Sequence, residues 1–110
     1  MFGGLGGLKD IGKMMKMASQ LQENMAKAHA QAKARTAKGE SGAGMVKVTV
    51  NGMSEVLAIE IDPEALKDPE TLSPLLLSAV NLALTNAKAI FAEETKAAMG
   101  GMDLPPGILP

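Results

Sequence analysis

The chain predicts an α+β fold: two long helices flanking a three-stranded antiparallel sheet, in the order α-β-β-β-α. Three observations carry this. Residues 39–52, G-E-S-G-A-G-M-V-K-V-T-V-N-G, are the place where alternation with period two replaces helical spacing. Before them, Ile11, Met14, Ala18, Leu21, Met25, Ala28, Ala32 and Arg35 step by threes and fours, which is a heptad seam. After them, Leu72, Leu76, Ala79 or Val80, Ala83, Ala87, Ile90, Phe91 and Ala98 line a second helical stripe.

Residues 1–7 are rich in glycine and are expected to be a flexible N-terminus, since little there can offset backbone ordering. A helix is then expected from about Leu8 to about Ala34, roughly 40 Å long at 1.5 Å per residue. Its seam is Met- and Leu-rich at first and Ala-rich later, so the first half is expected to bury more surface, while the Ala-rich half either packs closely against another helix or projects into solvent. Arg35–Ser41 reads as an edge strand, and Ser41-Gly42-Ala43-Gly44 as the turn that follows. Val46, Val48 and Val50 then fall on one face of a half-buried strand, with Lys47, Thr49 and Asn51 on the other. Asn51-Gly52 followed by the apolar run Glu55–Ile61 signals a hairpin. An even loop keeps Leu57, Ile59 and Ile61 on the valine face. Two residues would do so, but the four from Asn51 to Ser54 set Val48 opposite Leu57 and Val46 opposite Ile59, the better apolar match. Asp62-Pro63-Glu64 and Asp68-Pro69-Glu70 each place an N-cap before a proline and an acidic first turn. The first opens a short helix and the second a long one, from about Glu70 to about Met99, stopped by Gly100-Gly101. Residues 102–110 form an extended, proline-rich tail.

At 110 residues the chain reads as a single domain with a modest core. It has no cysteine, so disulfides and thiolate metal sites are excluded. Lys9, Asp10, Lys13 and Lys16 interrupt what would be the apolar run of a signal peptide. The uncharged stretch Thr71–Ala87 contains Pro74, Asn81 and Asn86 and is too short and polar to span a bilayer, so a cytoplasmic protein with no membrane partner is expected. Two Phe with no Trp or Tyr argue against a base-stacking platform and against an aromatic pocket for a small-molecule substrate. Nine Met read as adaptable filler between helices.

No motif favours an enzyme or a cofactor. Gly39–Lys47 lacks the order of a phosphate loop and leads into a strand, where a phosphate site needs a helix N-terminus. His29 is the single histidine and reads as a solvated helix position. The acids between Glu55 and Glu70 have no nucleophile or base patterned beside them. Asn81 and Asn86, mid-helix, read as side chains bonded to a neighbouring loop or strand edge. Charge is segregated: through Gly39 there are seven basic residues against two acidic (+5), and beyond it four against ten (−6). Lys9, Lys13, Lys16, Lys27, Lys33 and Arg35 supply most of the basic half. Lys9, Lys13, Lys16 and Lys27 lie off the heptad seam and are exposed, as solubilising charge or as contacts to a polyanion.

Four ordered motifs resemble the YbaB/EbfC family of bacterial nucleoid-associated proteins. They are G-E-S-G-A-G-M-V-K-V-T-V-N-G at 39–52, I-E-I-D-P at 59–63, A-V-N-L-A at 79–83 and L-P-P-G at 104–107, following an N-terminal M-F-G-G and a Met- and Gln-rich helix. The resemblance covers essentially the whole chain. It implies a homodimer with sheets at its centre and helical arms projecting like tweezers, located in the nucleoid, and binding of double-stranded DNA with little sequence preference. The family carries no universal set of DNA contacts, so the six basic residues above rest on charge alone. The rival expectation is a helical module that binds a protein through its seam and tail.

Overall fold

The computed structural model describes residues 4–100, with side chains from residue 10 onward. Helix α1 (Gly4–Ala34) leads into strands β1 (Thr36–Ser41), β2 (Val46–Asn51) and β3 (Val56–Ile61), a short helix α2 (Pro63–Leu66) and the long helix α3 (Pro69–Met99). The expected α-β-β-β-α order is present, with antiparallel strands in the order β1-β2-β3. Helix α1 starts four residues before the expected Leu8, so the flexible stretch expected over residues 1–7 is helical from Gly4. Residues 1–3 and the expected tail 102–110 lie outside the described residues.

The core is a plane of small side chains. Val46, Val48 and Val50 of β2 are fully buried against Ala79, Ala83 and Ala87 of α3, with Leu72, Leu75, Leu76, Val80 and Leu84 around them. Each buried valine contributes about 1.5–3 kcal/mol of transfer free energy. Alanines at every fourth position let α3 lie directly on the sheet. Closest approach is at Gly39 of β1, where an added Cβ would stand 2.2 Å from the Ala79 carbonyl oxygen and 2.4 Å from the Ala83 nitrogen. Asn86 donates from Nδ2 to the Lys38 carbonyl at 2.8 Å, and the Ser41 hydroxyl donates to the Leu75 carbonyl, so β1 is tied to α3 at its middle and at its last residue. Asn86 thus has the strand-edge partner expected for it. Asn81 is exposed, and its carbonyl accepts from Thr85 Oγ1. By length and composition α3 as a whole has what a membrane span needs, more than its uncharged stretch suggested. Its apolar stripe is instead committed to the valine face.

The hairpin departs from the expected four-residue loop. Val48 pairs with Ile59 and Val46 with Ile61, while Val50 pairs with Val56 across an irregularity in β3. The cause is Asn51. Its Oδ1 accepts from the backbone N–H of Met53 (2.9 Å) and of Glu55 (3.1 Å), and its Nδ2 donates to Glu55 Oε1 (2.8 Å). These bonds lengthen the loop to Asn51–Glu55, an odd number. A bulge residue, Leu57, then returns Ile59 and Ile61 to the valine face. Gly52 is needed for proximity, not for a primed turn. Its N–H donates to the Ala32 carbonyl at 2.8 Å, and a Cβ there would lie 2.5 Å from that oxygen.

Both helix starts are capped as expected. Asp62 Oδ1 accepts from the Glu64 N–H, and Asp68 Oδ1 from the N–H of Glu70 and of Thr71. The Thr71 hydroxyl bonds Asp68 Oδ2 at 2.6 Å. This bond first, then the backbone donors of Thr71 and Glu70, holds the Asp68 carboxyl below its ordinary value.

Burial along α1 reverses the expectation for its first half, while the Ala-rich half packs closely, one of the two outcomes expected for it. Ala28 and Ala32, in the Ala-rich half, are buried, whereas residues 10–20 are exposed throughout. The reason is reach. Helix α3 ends level with Asn24, whose Nδ2 donates to the Ala98 carbonyl at 3.1 Å, so nothing among the described residues extends far enough to cover the Met-rich half. That half, roughly 30 Å of helix at 1.5 Å per residue, stands clear as an arm. The described molecule accordingly measures 76 × 23 × 17 Å.

Candidate nucleic-acid interface

Helix α1 brings some of the expected basic residues together and separates others. At 100° per residue, Lys13, Lys16 and Lys27 fall within an arc of about 60° on one side of the helix. Lys33 points about 120° away from Lys27 by the same geometry. All four are exposed. The side chain of Lys9 lies outside the described residues. Arg35, where α1 meets β1, is engaged at home. Its Nη1 sits 2.9 Å from Glu93 Oε2 and 3.0 Å from Glu94 Oε1 of α3. Hydrogen bonds to Glu93 and then Glu94 raise its pKa further above the ordinary arginine value.

Two further residues join the lysine side, Gln20 and Gln31, which share the same arc. With Lys13, Lys16 and Lys27 they make a line of long polar side chains stepping by three, four, seven and four, parallel to the apolar seam. That second periodicity is visible in the sequence and is the signal by which Gln20 and Gln31 are found. Gln20 Nε2 donates to Asn24 Oδ1 at 3.0 Å, linking the line to the α1–α3 contact. The line ends in a shallow groove of about 250 Å³ between the helices, bordered by Asn24, Lys27, Gln31, Glu94 and Ala98. From Lys13 to Gln31 it measures about 27 Å at 1.5 Å per residue. That is the length of roughly eight base pairs at 3.4 Å each.

His29 is an exposed helix position as expected, and it also stacks on Phe91 with ring centroids 5.6 Å apart and an interplanar angle of 26°. With Arg35 it fastens the base of the arm to α3. Among the described residues, no group of His and carboxylate side chains is arranged to hold a metal ion. The opposite face of the sheet carries Glu40, Lys47 and Glu60 in one cross-strand row, which is polar and close to charge-balanced.

Residues 7–102 match the model of the YbaB/EbfC DNA-binding family. A nucleoid-associated protein of Caldanaerobacter subterraneus subsp. tengcongensis is 42% identical over 105 residues, covering 94% of this chain and 95% of that protein. One from Paramagnetospirillum magneticum is 42% identical over 102 residues, covering 91% and 95%. A crystal structure of an uncharacterized protein from Helicobacter pylori superposes with a TM-score of 0.52 at 30% identity, over 86% of this chain and 98% of that one. The chain therefore belongs to the YbaB/EbfC DNA-binding family.

Proposed function

We propose that this protein binds double-stranded DNA in the nucleoid as a homodimer, without enzymatic activity, and holds the duplex by phosphate contacts from its helical arms. The observation that carries this is the line of Lys13, Lys16 and Lys27 along an exposed helix in a chain whose net charge is −1. Positive charge is concentrated where the molecule reaches furthest from its acidic second half. At the Debye length of about 8 Å in physiological salt, the arm's field acts largely on its own. Lysines without a patterned set of base-reading side chains neutralise phosphates and release counterions, which gives affinity with little sequence preference. Lys9 and Lys33 add to the positive charge of α1 rather than supplying phosphate contacts. Arg35 serves chiefly to hold the arm to α3, since a phosphate contact would cost it both carboxylates.

The homodimer reading rests on β3. This edge strand exposes Val56 (46%), Leu57 (55%) and Ile59 (47%), because α3 covers β1 and β2 but not β3. An apolar strand with an open edge is a surface that monomers seldom leave bare. A second copy placed there would set two arms on one particle.

A gel shift over a salt series, with duplexes of unrelated sequence, tests the function. The reading expects comparable retardation of every duplex, lost progressively as salt rises. No retardation at low salt would favour the protein-binding module instead.

A further inference from the structure

The seam of α1, half-buried at Leu21 and Met25 and buried at Ala28 and Ala32, continues up the arm as Met17, Met14 and Ile11, which are exposed. Met14 is 68% exposed and Ile11 55%. We propose that the chain's own C-terminal segment, residues 101–110, lies along this face.

Three observations support it. First is the exit point. Helices α1 and α3 run antiparallel, because Asn24 meets Ala98 while Arg35 meets Glu93 and Glu94. The chain therefore leaves α3 level with Asn24 and headed toward the tip of the arm, at the lower end of the bare face. Second is length. Ten extended residues at about 3.1 Å each reach about 31 Å. Ile11 lies only about 20 Å beyond Asn24 at 1.5 Å per residue. Third is composition. The segment G-M-D-L-P-P-G-I-L-P carries Met102, Leu104, Ile108 and Leu109, and its one charge is acidic, on an arm bearing Lys13 and Lys16. Its prolines rule out a continued helix and favour an extended run, which can lay apolar side chains on a helix at modest entropic cost. The arm would then keep an apolar strap on one side and leave Lys13 and Lys16 open on the other.

The absence of cysteine makes the test direct. Met17→Cys with Leu104→Cys places two thiols at matching distances from the base of the arm. Ser19→Cys with Leu104→Cys places the first thiol on the far side of the same helix. Under mild oxidation of the full-length protein, the first pair is expected to form an intrachain disulfide at least tenfold faster than the second. Equal rates would overturn the proposal, as the mark of an unattached tail. Bonds formed only between chains would also overturn it, by giving the face to a second copy. Hydrogen exchange gives a check independent of the thiols. Ending the chain at Gly100 is expected to speed exchange of the amides at residues 11–21 several-fold against the full chain. Unchanged exchange would sink the idea even if the thiols paired.

Discussion

Replacing Lys13 and Lys16 together by Gln is the sharpest test of the arm as a DNA surface, because it removes charge without adding repulsion and touches no buried contact. In a dimer, Lys13, Lys16 and Lys27 supply about six phosphate contacts. At about −0.9 per contact, log affinity against log salt then has a slope of roughly −5. Between 50 and 200 mM salt that slope corresponds to about a thousandfold loss of affinity. The double variant keeps only the two copies of Lys27, and its slope is expected to flatten to about −2. Both lysines stand exposed on the free half of α1, so circular dichroism, melting temperature and sedimentation should match the parent. The measurement is fluorescence anisotropy of a labelled duplex at several salt concentrations, repeated on a second duplex of unrelated sequence. An unchanged slope in a correctly folded variant would show that the phosphates are met elsewhere. A loss confined to one of the duplexes would show base readout where none is expected.

Other consequences follow from the packing. Val48→Asp buries a carboxylate at a position with no solvent exposure and no partner, and is expected to abolish folding or lower the melting temperature drastically. Gly39→Ala drives a methyl group into the α3 backbone and should cost about 3 kcal/mol, read by denaturant titration; a cost near zero would mean that α3 does not lie on β1 as described. Lys47→Glu is a surface change that sequence alone would grade as mild. It places three carboxylates in one cross-strand row with Glu40 and Glu60, so a loss of about 1 kcal/mol is expected. Ile59→Asp puts a charge on the exposed face of β3, where a lone chain would tolerate it and a dimer would not. Sedimentation should shift toward monomer while the circular dichroism spectrum is retained. Asp68 gives a pH dependence. Its native carboxyl binds a proton less readily than the unfolded one, so its contribution is complete above the unfolded value of about 3.8 and is lost as pH falls through the lower native value. The melting-temperature gap between the parent and Asp68→Asn should therefore be full at pH 6 and should narrow below pH 4.

The sequence by itself determined every element of this fold, because each carries a local cause. Alternating valines make β2, the paired Asp-Pro-Glu starts make α2 and α3, and the glycines at 42 and 44 with Ala43 take the positive φ of the turn between β1 and β2. It also determined the charge asymmetry and, in the spacing of Lys13, Lys16, Gln20, Lys27 and Gln31, one polar side of α1. Tertiary structure alone decided what each surface faces. Met and Leu were expected to bury more of the arm than Ala, since transfer free energy grows with side-chain size. Which half finds a neighbour depends instead on where α3 stops, and nothing local to α1 encodes that. The hairpin register likewise turned on contacts that matching apolar residues across the pair does not show. Gly52 must approach the Ala32 carbonyl, and Asn51 folds its side chain into the loop behind it, so the short turn that Asn-Gly signals on its own is replaced by a longer one with a bulge. Arg35 shows the same limit at the candidate interface. Sequence ranks it with the lysines by charge, but only the fold brings Glu93 and Glu94 within 3.0 Å of it, nearly sixty residues along the chain.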